Sequence, residues 1–237
     1  MKVRTLLLFA FYVIIVICLT PVLIVFMILK TREPLLAIGK GVMRLSQKML
    51  GLRLDVSGLE RVDRSKAYIF MPNHVSFIDG PLLFMLIPHP VRVILKKEIF
   101  RIPVVGMGMR HVEFVPVDRK RIKGGKASIE RAARLMKDKG YSFLIFPEGT
   151  RSLDGSLQKF KRGGFFLALE SGAPIVPVRI QGTFEIMPKK SFFVRKGRIR
   201  VVFRPPIPVQ GYDRNHLANL MDKVRASIQD AGQKEEA

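Results

Sequence analysis

The chain is 237 residues long, enough to bury a full core, and reads most economically as one domain with an accessory segment. Its 41 Lys and Arg against 19 acidic residues leave a net charge of +22, which draws phosphate-rich or acidic partners: nucleic acid, anionic lipid, acidic substrates or carrier proteins. Nucleic acid is disfavoured: there is no Trp, there are only four Tyr, and neither a ribonucleoprotein signature nor a Cys/His zinc pattern is present.

Residues 6–29 are almost wholly apolar, broken by Tyr12, Thr20 and Pro21. As a helix rising about 1.5 Å per residue, the run would reach roughly 36 Å, enough to cross a hydrocarbon core with some tilt. Lys2 and Arg4 resemble the basic start of a signal peptide, but the run is too long for one and no small-x-small cleavage site follows. Pro21 keeps a second geometry open, a kinked or hairpin segment dipping into one leaflet. In either geometry the segment is expected to associate with a membrane. Cys18, the single cysteine, lies inside this run. That excludes an intrachain disulfide and a Cys-based zinc site, and suits a reducing compartment.

Residues 34–50 read as an amphipathic helix. Leu35, Ile38, Val42, Leu45 and Met49 recur every three or four positions, and Lys40, Arg44 and Lys48 form a second stripe. Such a helix either packs on a core with its basic side solvated or lies on anionic headgroups; its place directly after the apolar run favours the second. Lys30, Arg32 and the three stripe cations outnumber Lys2 and Arg4. By the positive-inside rule the rest of the chain then faces the cytoplasm, at the inner (cytoplasmic) membrane of the cell. Residues 1–51 are expected to form a membrane anchor and residues 52–237 the main domain.

From residue 52 the pattern becomes α/β. Short apolar runs predict strands at residues 54–56, 68–71, 91–95, 114–117, 142–146, 175–180 and 199–203, with helices at 126–139, 164–170 and 215–228. Alternation of this kind implies a largely parallel or mixed sheet covered by helices.

The chemistry concentrates after two of these strands. Asn73-His74-Val75-Ser76-Phe77-Ile78-Asp79 follows the second, and Pro147-Glu148-Gly149-Thr150-Arg151-Ser152 follows the fifth. His74 and Asp79 stand five apart, a spacing that cannot share one face of a regular helix. It works if His74 sits on the turn leaving a strand and Asp79 opens the next helix. A carboxylate there holds one imidazole nitrogen and leaves the other to take a proton from a hydroxyl. Gly149 lets backbone approach a ligand closely, and Arg151 offers a planar fork for phosphate oxygens or, alternatively, pairs with Glu148 within the turn. Lys96, Lys97 and Arg119 are either further phosphate ligands or solvated charges. Gly106-Met107-Gly108 lacks the third glycine of a dinucleotide loop, and no P-loop lysine pattern exists. The four His (74, 89, 111, 216) are scattered, so no metal site is expected.

The Asn73–Asp79 block resembles the first motif of the glycerolipid acyltransferase family. Lys96-Lys97-Glu98-Ile99-Phe100 with Pro103, Gly106 and Phe114-Val115-Pro116-Val117-Asp118-Arg119 resembles its second, the Phe146–Ser152 run its third, and Ile175-Val176-Pro177-Val178 its fourth. All four stand in the family's order, and the start and length look most like its bacterial 1-acyl-glycerol-3-phosphate branch. The resemblance implies acyl transfer from acyl-CoA or an acyl-carrier protein to lysophosphatidic acid, with no other cofactor, on an anionic membrane. The same chemistry on glycerol-3-phosphate, another lysophospholipid or a lyso-aminolipid stays open. A rival of another class, a membrane-tethered lipid-binding scaffold, has no need of the ordered His74…Asp79 and Glu148…Arg151 pairs. By the same resemblance His74 is the base, Asp79 orients it, and Glu148, Gly149, Thr150, Arg151, Arg119, Lys96 and Lys97 bind the acceptor phosphate and shape the site. No acyl-enzyme is expected, because no Gly-x-Ser-x-Gly elbow is present. One position departs from the pattern: Glu113 stands where the family often has Gly.

Overall fold

The computed structural model describes residues 2–118 and 122–230. It begins with two helices folded back on each other, α1 (Lys2–Ile28) and α2 (Glu33–Leu50). Proline in the first turn of α2 is tolerated because that turn has spare N–H groups. Gly51, at φ +67°, stops the helix and donates its N–H to the carbonyls of Gln47 and Lys48.

Helix α1 is fastened to the rest of the protein along its length. Near its start Val194 N–H donates to Thr5 Oγ1 (3.3 Å), and further on Ser46 Oγ donates to Tyr12 OH (3.0 Å). Leu23 packs at Gly108, and just past the helix Arg32 Nε donates to the carbonyl of His111 (3.0 Å). The outward side is apolar and bare, with Leu6, Leu7, Phe9, Ile14, Ile17 and Ile28 exposed.

Helix α2 departs from its sequence reading. Its buried side chains are Leu36, Ser46 and Leu50, while Leu45 and Met49 of the expected apolar stripe face outward. Lys40 does not belong to a solvated basic stripe: its Nζ donates to the carbonyl of Ile87 (2.8 Å) and sits 5.5 Å from the Phe84 ring centroid. Burial, assisted by Arg44, holds its ammonium below the usual lysine value. The reason is packing on two sides, against α1 and against α3 (Asp79–Leu86), so the helix has more than one apolar face. Arg44 and Lys48 remain exposed.

The sheet has seven strands: β1 (Leu52–Ser57), β2 (Ile69–Pro72), β3 (Val91–Lys96), β4 (Val115–Val117), β5 (Ser142–Leu144), β6 (Ile175–Gln181) and β7 (Gly197–Phe203). Their order is β1-β7-β6-β2-β5-β3-β4, and β1 and β7 run opposite to the other five. The fold is therefore α/β with a mixed sheet. One face packs through Phe70, Val176 and Val201 against α2 and α3. The other packs through Met71, Phe143 and Ile175 against α5 (Ile122–Lys139), α6 (Gly163–Ser171) and α8 (Leu217–Asp230). Burial on both faces explains why β2 and β5 read as continuous apolar runs rather than alternating ones.

Strand β5 ends at Leu144, short of the expected residue 146, because the chain there turns into the Phe146–Gly149 bend. Helix α4 (Val105–His111) was hidden by two glycines of low helix propensity. Gly106 is required there, since a Cβ would stand 2.2 Å from the carbonyl oxygen of Phe100.

Glu113, at the position that departs from the expected pattern, adopts φ +61°, the left-handed conformation natural to glycine. Its carboxylate meets Lys139 Nζ at 2.6 Å and Arg32 Nε at 3.6 Å. Ion pairs thus hold a backbone conformation that glycine would adopt freely.

Candidate active site

Parallel β2, β5, β3 and β4 deliver their C-terminal ends to one edge of the sheet, the edge at which open α/β sheets bind ligands. His74 leaves β2 there. Asn73 fixes the exit: its side-chain amide donates to the carbonyl of Ile180 (2.9 Å) and accepts from Ile180 N–H (2.7 Å), clamping β2 to β6.

Asp79 is the first residue of α3 and is fully buried. Its Oδ2 accepts from Val75 N–H (2.8 Å), Ser76 N–H (2.7 Å) and His74 Nδ1 (3.0 Å). A carboxylate at a helix N-terminus is favoured by the helix dipole, and it fixes the His74 tautomer with the proton on Nδ1. Nε2, on the far side of the ring, is left to take a proton. The ring is held flat by Phe146, with centroids 3.8 Å apart and planes at 27°. Ser76 Oγ donates to the carbonyl of Met187 (2.7 Å), tying the same turn to the loop before β7.

Glu148 follows β5 and faces the same turn from the neighbouring strand. Its Oε1 accepts His74 N–H (2.7 Å) and its Oε2 accepts Gln158 N–H (2.9 Å). Burial raises its carboxyl above the ordinary range in spite of these donors. Ser152 N–H closes the arrangement onto the carbonyl of His74 (2.8 Å).

Gly149 sits at φ +74°, as the tight turn after Glu148 requires. Thr150 and Arg151 are held from outside by Lys189, whose Nζ reaches Thr150 Oγ1 (3.2 Å) and the carbonyl of Arg151 (2.8 Å). The Arg151 guanidinium stands 5.9 Å from the Phe77 ring, which places it over the turn that carries His74. Lys97 is committed to Asp118 at 2.5 Å, and Lys96 stands exposed, 3.7 Å from Glu98. Arg119 lies outside the described residues. Among the described residues no group of three His, Cys, Asp or Glu is placed to hold a metal ion.

Three contributors carried no sequence signal. Gln158 and Lys189 act through contacts made only by folding. Arg179, half-buried inside the apolar β6 run, feels the Glu148 carboxylate, and its Nε is buried without a hydrogen-bond partner.

Beside the His74–Asp79 turn lies an apolar cavity of about 260 Å³, bounded by Phe77, Ile78 and Leu82 on one side and by Phe9, Tyr12 and Met43 of the helical pair on the other. The turn that carries His74 thus borders, through Phe77 and Ile78, a space walled by apolar side chains.

The family model described as Acyltransferase matches residues 53–181, a stretch that contains both the His74 and the Glu148 turns. The chain belongs to the acyltransferase family. A 1-acyl-sn-glycerol-3-phosphate acyltransferase of Brassica napus, BAT2, is 37% identical over 180 residues, covering 73% of this chain and 52% of that protein. The alpha enzyme of that name from Homo sapiens is 29% identical over 180 residues, covering 76% and 64%. The chain spans about half the length of several of the curated relatives it matches. Its fold matches the crystal structure of the 1-acyl-sn-glycerophosphate (LPA) acyltransferase PlsC from Thermotoga maritima, with TM-score 0.79, 24% identity and 98% of each chain covered. For a member of this family the His74–Asp79 pair and the adjoining cavity are the candidate active site.

Proposed function

We propose that the protein transfers a fatty acyl group from a thioester, on coenzyme A or a carrier protein, to the free hydroxyl of 1-acyl-glycerol-3-phosphate, giving phosphatidic acid for phospholipid synthesis. The observation that carries this reading is His74 oriented by Asp79 on a turn whose next residues, Phe77 and Ile78, wall an apolar cavity. His74 Nε2 takes the hydroxyl proton as the oxygen attacks the thioester carbonyl; the C–O bond forms, the C–S bond breaks, and the imidazolium returns the proton to the departing thiolate. Asp79 stabilises the imidazolium in between. The cavity takes an acyl chain, and Arg151, with Lys96 and Arg119 of the second block, takes the acceptor phosphate, while Lys97 stays paired with Asp118. The relatives' printed names agree with this acceptor.

The bilayer supplies the substrate. Helix α1 is long and apolar enough to span a membrane, yet it is held against the domain at both ends. That arrangement fits a helix lying along one leaflet, its bare apolar side in lipid and the domain on the cytoplasmic side, better than one leaving the domain to cross.

The test is the purified full-length protein in mixed micelles with labelled acyl-CoA, then acyl-carrier protein, against a panel of lyso-acceptors. Phosphatidic acid from 1-acyl-glycerol-3-phosphate is the expected product. Free fatty acid released at the same rate without any acceptor would make the protein a thioester hydrolase instead.

A further inference from the structure

The loop between α7 (Thr183–Ile186) and β7 has no part in the proposed proton transfer, yet it carries the most exposed large apolar side chain among the described residues. Phe192 is 83% exposed, and Phe193 beside it is also exposed. Lys190, Arg195 and Lys196, exposed as well, bracket the two rings. Water is an unfavourable setting for two adjacent phenyl rings, and nothing in the fold requires them to point outward.

The loop is not slack. Arg195 N–H donates to the carbonyl of Ile186 (3.0 Å), and Ser191 N–H to that of Pro188 (2.9 Å). Ser191 Oγ in turn accepts Phe193 N–H (3.0 Å), and the base is tied to the catalytic turn through Ser76 and Met187. Buried Val194 anchors the loop onto Thr5 at the start of α1. The aromatic tip is therefore presented from a fixed base, beside the exposed Leu6, Leu7 and Phe9 of α1, and Phe192 itself borders the apolar cavity.

We infer that the Pro188–Lys196 loop is a second membrane-docking element, which sinks Phe192 and Phe193 into the interface of an anionic bilayer while Lys190, Arg195 and Lys196 meet its headgroups. Aromatic rings are favoured at the headgroup level, and cations near an anionic surface are attracted to it. Continuity with the bare side of α1 selects a bilayer rather than an acidic protein as the occupant. Docking at this point, together with α1, sets the cavity mouth at the depth where a lysophospholipid resides. The inference rests on the proposed membrane association of α1, and its test separates the two.

The chain contains no Trp, so a single introduced one reports its own depth. Full-length Phe192→Trp, Phe9→Trp and Tyr212→Trp are each bound to vesicles of phosphatidylcholine with and without phosphatidylglycerol, with bromine on the acyl chains. On anionic vesicles Phe192→Trp and Phe9→Trp should shift to the blue and lose most of their emission, while Tyr212→Trp, on the opposite face of the sheet, should keep it. Adding Lys190→Ser, Arg195→Ser and Lys196→Ser to Phe192→Trp should return its quenching toward the level on neutral vesicles. Quenching of Phe9→Trp with Phe192→Trp unquenched overturns the loop and leaves α1 on the membrane. Failure of both reporters overturns both, and quenching of all three overturns the loop as a specific contact. Equal quenching with the three cations removed overturns their role at the headgroups.

Discussion

Glu148, at the end of β5, accepts the backbone N–H of His74, at the end of β2, at 2.7 Å. The third motif block thus acts on the first through main chain rather than side chain. Glu148 holds the strand end from which the imidazole projects, while its other oxygen secures Gln158 N–H. Replacing Glu148 by Ala leaves two partly buried amides without acceptors, each costing about 1–3 kcal/mol. Glu148→Gln keeps an acceptor oxygen, so it should retain clearly more thermal stability and more kcat than Glu148→Ala. Melting curves and kinetics of the two variants decide it; equal losses would mean that the charge, not the acceptor, matters.

The raised Glu148 carboxyl has a pH signature. In the folded protein it keeps a proton that the unfolded chain has already released, so its contribution to stability is full below the ordinary value of 4.5 and is lost as pH rises through the folded value. The stability difference between wild type and Glu148→Gln should therefore move against the wild type as pH rises across that window. Urea unfolding at a series of pH values measures it, and a constant difference would mean that the carboxyl is not raised.

Glu113 holds a left-handed backbone that costs a non-glycine residue about 1 kcal/mol. Glu113→Ala keeps that strain and discards the pairs with Lys139 and Arg32, whereas Glu113→Gly relieves it. The glycine variant should be the more stable of the two by about 1 kcal/mol. Denaturant midpoints compare them directly, and an alanine variant at least as stable would place the backbone elsewhere.

Because Lys40 is turned inward while Arg44 and Lys48 are exposed, the three should not contribute alike to adsorption on anionic vesicles. Arg44→Ser and Lys48→Ser should each weaken it by about 1 kcal/mol at low salt, with the effect fading as salt rises. Lys40→Ser should leave its salt dependence unchanged. Sedimentation with vesicles of graded anionic content tests this, and equal effects would return Lys40 to the surface.

Arg151→Ala should harm use of the phosphorylated acceptor more than use of the thioester. Losing a charged hydrogen bond is worth about 1.5–3 kcal/mol, or roughly ten- to a hundred-fold in the acceptor's kcat/KM. Selective damage to the thioester would instead put Arg151 at the donor.

Each of the seven strands was legible because apolar runs between turn residues mark sheet positions without tertiary knowledge. The His74–Asp79 geometry was legible for a similar reason: a spacing of five forbids one helix face and leaves a turn followed by a helix start. What depended on contacts between distant segments was not. The α2 periodicity told that one side is buried, but a helix wedged between two others has a choice of sides, and Lys40, expected in the solvated stripe, is turned inward. The tie from Glu148 to a main-chain amide, the grip of Lys189 on the Arg151 turn and the docking of Val194 on Thr5 link residues far apart in the chain, which no local pattern records.

The central claim is that His74, set by Asp79, removes the proton of the acceptor hydroxyl. Its most direct test is single-turnover transfer from labelled acyl-CoA to 1-acyl-glycerol-3-phosphate by wild type, His74→Ala and Asp79→Asn, each shown by circular dichroism and vesicle binding to be folded and bound. The account predicts a fall of about two to four orders of magnitude for His74→Ala, and a severe loss for Asp79→Asn, which sets the wrong tautomer. A His74→Ala protein that keeps more than about a tenth of the wild-type rate, far above what loss of a general base allows, would contradict it.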